Sequence, residues 1–188
     1  AANAAVAFSR LGFSSMLLAA LGDDVRSRTI VHNLLKNRIK TSLLEVIPHT
    51  ASGLSLILVK PGNDHVVFTY RGANDQLKIT RRHERAIRKV DWVYLTSLSK
   101  DWKSVLKAIF SVSHRLAWNP GRQQIATGLK TLAPFLKQTE VLICNKDEAL
   151  ELVSSTVSKT PAPRLNNIKY LARSLQKYVA GSVVITDG

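Results

Sequence analysis

The sequence predicts an α/β protein with a parallel central sheet that helices cover on both faces. From Asp91 onward, short apolar runs alternate with helical patterns, which is typical of a parallel sheet. Ser15 to Leu21 is a nearly uninterrupted apolar run, as expected of a strand buried on both faces. Residues 42 to 71 contain strand-like segments only, which predicts a small β lid apart from the main sheet.

The chain is predicted to open with a helix, a turn and a strand. Asn3 begins a run of small helix-forming residues, and Gly12 ends it. Ser15 to Leu21 follows as a strand, although its Leu and Ala residues leave a helix open. Asp23 and Asp24 come next, and we interpret this acidic pair as a turn and the N-cap of the following helix.

Arg26 to Arg38 is predicted to be a surface helix, because apolar residues recur at helical spacing and basic residues occupy the other side. Ser42 to Ile47 then starts the region of strands. Within it, Gly53 to Lys60 and His65 to Arg71 flank a Pro-Gly-Asn-Asp sequence at positions 61 to 64. Such a sequence between two strands predicts a hairpin turn.

The second half of the chain alternates strictly between strands and helices. The predicted strands are residues 91 to 96, 114 to 118, 140 to 144 and 182 to 186. The predicted helices are residues 101 to 112, about 125 to 137, 146 to 153 and 164 to 178. A polar loop with prolines, Ser154 to Pro163, separates the last two helices.

The composition is that of a globular protein with one sizeable core, since 45% of the 188 residues are hydrophobic. No apolar run approaches the roughly 20 residues that span a bilayer, and no secretory signal opens the chain. We therefore expect a cytoplasmic protein without a membrane partner. The single cysteine, Cys144, lies in an apolar run and is predicted to be a buried small residue.

The formal net charge of +14 raises nucleic acid as a partner. Arg71 to Lys89 carries seven basic residues against Asp75 and Glu84. We interpret this segment as a solvated helix face, because no aromatic residue interleaves with its charges after Tyr70 to stack on bases. Nucleic acid is therefore not expected as a partner, whereas an anionic substrate could be attracted.

Polar residues that follow the strands are the candidates for chemistry, because ligands of open parallel sheets bind beyond the carboxyl ends of the strands. Asn119 follows one strand and precedes a proline, so it either faces a ligand or ends the strand. Asn145 and Glu148 lie three residues apart at a helix start, a spacing that suits an anion site or a capping box. Asn3, at another helix start, faces a ligand or merely caps.

Short motifs follow one another in order along nearly the whole chain. They are Asn3, Ala5, Gly12 and Gly22 at their spacing, GDD at 22 to 24, SGLSLILV at 52 to 59, YRGAND at 70 to 75, DWVYLTSLS at 91 to 99, NP at 119 to 120, NKDE at 145 to 148 and VVITDG at 183 to 188. In this order they resemble the ribokinase (PfkB-type) family of sugar and nucleoside kinases.

The resemblance implies a ribokinase-like fold and an ATP-dependent kinase that uses Mg²⁺ to phosphorylate a hydroxyl group of a sugar, sugar derivative or nucleoside. The site residues it implies are Asn3 and Arg71 for the substrate, Asn145, Thr186 and Gly188 for the nucleotide, and Glu148 for the metal. It assigns a mainly structural role to the acidic pair at 23 and 24. A homodimer formed through the β lid, as in some relatives, is a further implication.

Two departures from the family pattern qualify these expectations. Ser97 stands near the place where ribokinases carry an acidic sugar contact, which puts ribose itself in doubt. The Gly-Ala-Gly-Asp loop that carries the family's catalytic base does not occur in the 188 residues. We therefore expect a partial kinase domain whose base lies beyond Gly188 and which is inactive alone. The alternative is a non-catalytic sugar- or nucleic-acid-binding relative.

Overall fold

The structure is a computed structural model that describes residues 1–60, 65–156 and 167–187. The chain divides into two compact units, of which unit 1 comprises Ala1–Lys78 with Ser99–Asp101, and unit 2 comprises Ile79–Leu98 with Trp102–Gly188. Each unit contains a parallel sheet flanked by helices, so the predicted α/β class is confirmed. Within the described ranges, no helix has the length and apolar character needed to cross a membrane.

Unit 1 begins with a βα layer whose core is small and apolar. Its elements are α1 (Ala2–Arg10), β1 (Met16–Gly22), α2 (Val25–Lys36) and β2 (Lys40–Ile47). β1 is a strand, which excludes the helix that its composition left open, and it pairs in parallel with β2. Buried Ala5, Leu17, Leu34 and Ile39 pack together and join α1, β1 and α2.

The position of β2 corrects the predicted boundary of the lid. The sequence placed Ser42 to Ile47 with the lid strands, but β2 pairs with β1 along most of its length, with Leu18 opposite Leu43. Leu43 is buried accordingly. The local sequence pattern identifies Ser42 to Ile47 as a strand but does not show whether it belongs to the lid or to the sheet of β1. Its hydrogen-bonding partner is distant in sequence, so only the fold reveals it.

The remaining strands of the predicted lid form a hairpin of β3 (Leu54–Val59) and β4 (His65–Tyr70), which pair antiparallel. The predicted turn at 61 to 64 lies outside the described residues. In the part of the chain that the structure describes, neither strand pairs with any other strand. A 3₁₀ helix, Gly72–Gln76, follows, and its buried Ala73 donates its N–H to the Ala51 carbonyl at 3.0 Å.

Unit 2 contains a four-stranded parallel sheet in the order β5-β6-β7-β8. Its elements are α3 (Arg81–Ile87), β5 (Val93–Leu95), α4 (Trp102–Phe110), β6 (Leu116–Trp118), α5 (Arg122–Ile125), α6 (Leu129–Leu136), β7 (Val141–Asn145), α7 (Lys146–Ser154), α8 (Ile168–Gln176) and β8 (Ser182–Thr186). All three residues of β6 are buried, and since successive side chains point to opposite faces, both faces of this strand are covered.

Three aromatic rings occupy the core beside β6. Phe110 of α4, Trp118 of β6 and Phe135 of α6 pack edge to face, with centroids 5.3 to 6.4 Å apart. Such pairs add to the gain from apolar burial. Because Trp118 is the last residue of β6, this cluster anchors the carboxyl end of the strand, where the candidate Asn119 follows.

Two predicted helices differ from the observed ones. The helix predicted at about 125 to 137 is observed as α6, which begins only at Leu129. α5 ends at Ile125, and Gly128 between the two helices has φ of 81° and ψ of 160°. Only glycine adopts this conformation readily. The spacing of apolar residues does not reveal where α5 ends and α6 begins, because both helices bury leucine or isoleucine. α8 covers Ile168–Gln176 rather than 164 to 178, and residues 164 to 166 lie outside the described ranges.

Candidate active site

The carboxyl ends of β7 and β8 bring two predicted site residues together. Asn145 ends β7 and lies directly opposite Thr186 of β8 in the parallel register. Beside them, Lys146 Nζ lies 3.4 Å from Asp187 Oδ1. This edge of the sheet is where ligands bind in open parallel folds. Gly188, the third predicted nucleotide residue, lies outside the described residues.

Asn145 and Glu148 form a reciprocal capping box at the start of α7. The Glu148 N–H donates to Asn145 Oδ1 at 2.8 Å, and the Asn145 N–H donates to Glu148 Oε2 at 2.9 Å. The capping interpretation of this spacing is therefore confirmed. It leaves Glu148 Oε1 without a hydrogen bond among the described residues, so capping and ligand binding are compatible at this carboxylate.

The donor set at this edge suits a hydrated hard cation. Among the described residues, no group of three or more His, Cys, Asp or Glu side chains could enclose a metal ion. Mg²⁺ usually keeps several waters and needs only one or two protein carboxylates. Glu148, with Asp147 in the same helical turn, can supply them. The residues present therefore fit Mg²⁺ held largely through water.

The neighbouring thiol takes no part in this donor set. Cys144 is buried, and this burial, with a smaller contribution from the Glu148 charge, raises the pKa of the thiol to about 12. The side chain stays protonated near neutral pH, and a protonated thiol is a poor metal ligand. The prediction that Cys144 is a buried small residue is confirmed.

Asn119 is engaged by the sheet itself. Its backbone N–H donates to the Leu95 carbonyl at 2.8 Å, and its Nδ2 donates to the Ile143 carbonyl at 2.9 Å. It therefore ties the ends of β5 and β7 together across β6. Of the two interpretations that the sequence left open, the structure supports a role in ending the strand.

A buried glutamine that the sequence analysis missed organises the loop after β5. Gln124 Oε1 accepts from the N–H groups of Leu98 at 3.3 Å and Gly121 at 3.0 Å, and its Nε2 donates to the Leu98 carbonyl at 3.0 Å. A Cβ on Gly121 would collide with Ser97, so these segments are in close contact. No local pattern marks such a glutamine, because its partner is 26 residues away.

The two predicted substrate residues, Asn3 and Arg71, belong to unit 1. Asn3 is exposed in the first turn of α1, and its side chain forms no hydrogen bond with another described residue. Arg71 is half-buried just before the 3₁₀ helix, and its guanidinium forms no ion pair within the described ranges. Neither side chain is committed to the fold, and their substrate role stays a prediction.

A comparison with known families resolves the affiliation of the chain. The pfkB family of carbohydrate kinases matches residues 1–188, the whole length of the sequence. The chain belongs to the PfkB family. This agrees with the resemblance inferred from the ordered motifs, one of which contains the capping-box residues Asn145 and Glu148.

Curated PfkB relatives include two sugar kinases. The chain is 27% identical to the deoxyribokinase of Salmonella typhi, a match that covers 100% of this chain and 60% of that protein. It is 37% identical to the ribokinase of Bacillus subtilis, over 40% of this chain and 26% of that protein. The chain thus spans about 60% of the length of the relative that it matches from end to end.

Solved structures of PfkB-type kinases share the fold. Arabidopsis thaliana ribokinase complexed with ribose and ATP superposes with a TM-score of 0.78 at 15% identity, covering 100% of this chain and 59% of that one. The nucleoside kinase of Burkholderia thailandensis in complex with inosine gives 0.74 at 16% identity, covering 99% and 56%. The ribokinase-like fold is therefore confirmed.

The acidic pair of this PfkB chain is structural, as its sequence predicted. Asp24 caps α2 by accepting from the Ser27 N–H at 3.0 Å, and it accepts from Ser52 Oγ at 2.7 Å and from the Ser52 N–H at 3.0 Å. Asp23 accepts from the His49 N–H at 2.8 Å. Both carboxylates join the end of β1 to the segment between β2 and β3.

Proposed function

We propose that the protein is an ATP-dependent kinase that transfers the γ-phosphate to a hydroxyl group of a sugar, sugar derivative or nucleoside. The observation that carries the proposal is the juxtaposition of Asn145, Thr186 and Glu148 at one sheet edge, in a chain that the PfkB family matches throughout. The names of the relatives, ribokinase and deoxyribokinase, support a sugar as the acceptor. A neighbour complexed with ribose and ATP supports ATP as the donor.

Each residue at the edge has a proposed task. Asn145, Thr186 and Gly188 contact the nucleotide, and Lys146 adds a positive charge beside its phosphates. Glu148 holds hydrated Mg²⁺, which supplies charge neutralisation for the transferring phosphoryl group. Outside this set of edge residues, Asn3 and Arg71 of unit 1 are proposed to contact the acceptor. Catalysis of this kind depends on positioning and charge, which a rigid strand-to-helix junction favours.

We propose further that residues 1–188 do not complete the transfer by themselves. No Gly-Ala-Gly-Asp sequence occurs among them, so the base that takes the proton of the acceptor hydroxyl is assigned to a residue outside them. Nucleotide binding is therefore the appropriate test for residues 1–188. Phosphoryl transfer is the test for a form of the protein that also includes the base.

We also propose that the β3–β4 hairpin mediates a homodimer. Leu54, Leu56 and Leu58 lie opposite Tyr70, Phe68 and Val66, so these six side chains share one face of the hairpin. All six are exposed, by 48% to 57%. A contiguous apolar patch of this kind marks an interaction site.

The decisive experiment is calorimetric titration of ATP with and without Mg²⁺, on the protein and on two matched variants. In the protein, Mg²⁺ should tighten ATP binding. Glu148→Gln should remove this gain, whereas Glu151→Gln, which neutralises an exposed carboxylate on the same helix, should retain it. Binding of ATP that is unaffected by Mg²⁺ or by Glu148→Gln would refute the assignment.

A further inference from the structure

The most basic element of unit 2 is α3 with the two residues that follow it. Five basic side chains occur between positions 81 and 89, against Glu84 alone. They are Arg81, Arg82, Arg85, Arg88 and Lys89, and all five are exposed. The helix turns its apolar side inward, since Ile87 and His83 are buried. The exposed side of α3 is therefore almost entirely cationic.

Most of these positive charges have no ion-pair partner among the described residues. Arg81, Arg85, Arg88 and Lys89 form no ion pair with another residue of the described ranges. Arg81 and Arg85 are four residues apart within α3, so these two like charges are neighbours on the helix surface. Such pairs destabilise a helix. An anionic partner with several charges would relieve this repulsion.

An exposed aromatic residue follows the cationic helix in the sequence. Trp92 precedes β5 and is 40% exposed, whereas Trp102 and Trp118 are buried at 8% and 0%. The Arg115 guanidinium lies 4.1 Å from the centroid of the Trp92 ring, and Arg115 also pairs with Glu140 at 3.0 Å. Trp92 follows the last of these charges, Lys89, by three residues in the same unit, so an exposed aromatic ring flanks the charged segment without interleaving with it.

We propose that α3, Arg88, Lys89 and Trp92 form a binding surface for single-stranded nucleic acid, here named the basic surface. Its arginines pair with phosphates, to which the planar guanidinium is well suited. Because Arg115 lies over one face of the Trp92 ring, Trp92 stacks on a base through its other face, as aromatic residues of single-strand binders do. This function is independent of the kinase activity and reverses the expectation drawn from the sequence.

A membrane surface fits the same charges less well. Helices that bind bilayers insert an apolar face into the lipid, with basic residues on the other face. The apolar Ile87 of α3 is buried within unit 2 instead, so the helix has no apolar face to insert. An anionic vesicle is therefore the competing partner that the experiment must separate from an oligonucleotide.

The test is fluorescence anisotropy of a labelled 20-nucleotide oligo(U) across a salt series. If four phosphates are contacted, the logarithm of the affinity should fall with a slope of about −3 against the logarithm of the salt concentration. The variant with Arg81, Arg85, Arg88 and Lys89 all changed to Gln should lose about tenfold or more in affinity and most of the slope. Intrinsic Trp fluorescence should be quenched on binding, and Trp92→Leu should remove this quenching.

Two further variants separate specific contacts from general charge and from misfolding. Changing Lys169, Arg173 and Lys177 to Gln removes three exposed basic residues from α8 and its C-cap, and this variant should keep the slope. Replacing Arg81, Arg85 and Arg88 by Lys keeps the charge and should retain most of the affinity. Equal losses in the α3 and α8 variants would overturn the proposal. So would binding to phosphatidylserine vesicles without binding to oligo(U).

Discussion

A single carboxylate, Asp24, connects three segments of unit 1. Its hydrogen bonds, led by that from the Ser52 hydroxyl, lower the pKa of Asp24 to about 2. A carboxylate with a lowered pKa stabilises the fold above its unfolded pKa of about 4. That contribution is lost as the pH falls through the folded value of about 2. The buried Ser52 hydroxyl also accepts from the Gly22 N–H at 3.0 Å, so the network reaches β1.

Asp24→Asn is expected to lower the urea midpoint of unfolding at pH 7. The amide is neutral and has one acceptor oxygen, whereas the carboxylate is charged and accepts hydrogen bonds with two oxygens. The difference from the unmodified protein should shrink between about pH 4 and about pH 2, where Asp24 itself becomes protonated. Urea titrations over this range measure it. Asp91→Asn, at an exposed aspartate without hydrogen bonds to described residues, should have little effect at any pH. A pH-independent difference for Asp24→Asn would contradict the account.

At the scale of elements, Asn119 follows β6 and hydrogen-bonds to the neighbouring strands β5 and β7. Asn119→Ala removes the donor to the Ile143 carbonyl and should lower the free energy of unfolding by about 1 kcal/mol. The affinity for ATP should stay unchanged, since the side chain serves the sheet. Chemical denaturation and calorimetry measure the two quantities. Asn33→Ala, at an exposed asparagine of α2, is the control. Loss of ATP binding at unchanged stability would instead make Asn119 a ligand contact.

The junction between α5 and α6 depends on one glycine. Gly128→Ala should cost about 1–3 kcal/mol in the free energy of unfolding, because a side chain is strained at its φ of 81°. The added Cβ would also lie 3.3 Å from Ser155, whose Oγ accepts from the Leu129 N–H. Lys130→Ala, at an exposed position of α6, should change stability by at most about 0.5 kcal/mol. Equal effects in urea unfolding would show that Gly128 is not required.

At the scale of the whole molecule, the face of the hairpin that carries the six exposed apolar residues named above predicts self-association. Leu56 and Phe68 lie opposite each other near the middle of that face. Changing both to Ser should convert the dimer to a monomer, because burial of this apolar area drives the association. Sedimentation velocity over a concentration series measures the change. Changing Ser55 and Thr69 to Ala, a polar pair on the opposite face, should leave the dimer intact. A monomer at all concentrations before any substitution would refute the proposed dimer.

Local patterns predicted much of the fold and part of the site. The alternation of strands and helices in unit 2, the limits 182 to 186 of β8 and the strands of the hairpin all follow from periodicity and turn residues. The Asn145–Glu148 capping box was recognisable from its spacing alone. The ordered motifs were sufficient to identify the family. These features are encoded by residues close together in sequence, so the sequence by itself determines them.

Tertiary structure decided the features whose partners are distant in sequence. It placed β2 beside β1 instead of in the lid and set Thr186 opposite Asn145. It also bound Asn119 to β7 and Arg115 to Trp92. Strand pairing and side-chain contacts form between segments that many residues separate, and no local periodicity specifies which segments meet. The sequence alone thus yielded the candidate groups for chemistry, and three-dimensional packing determined which of them lie together.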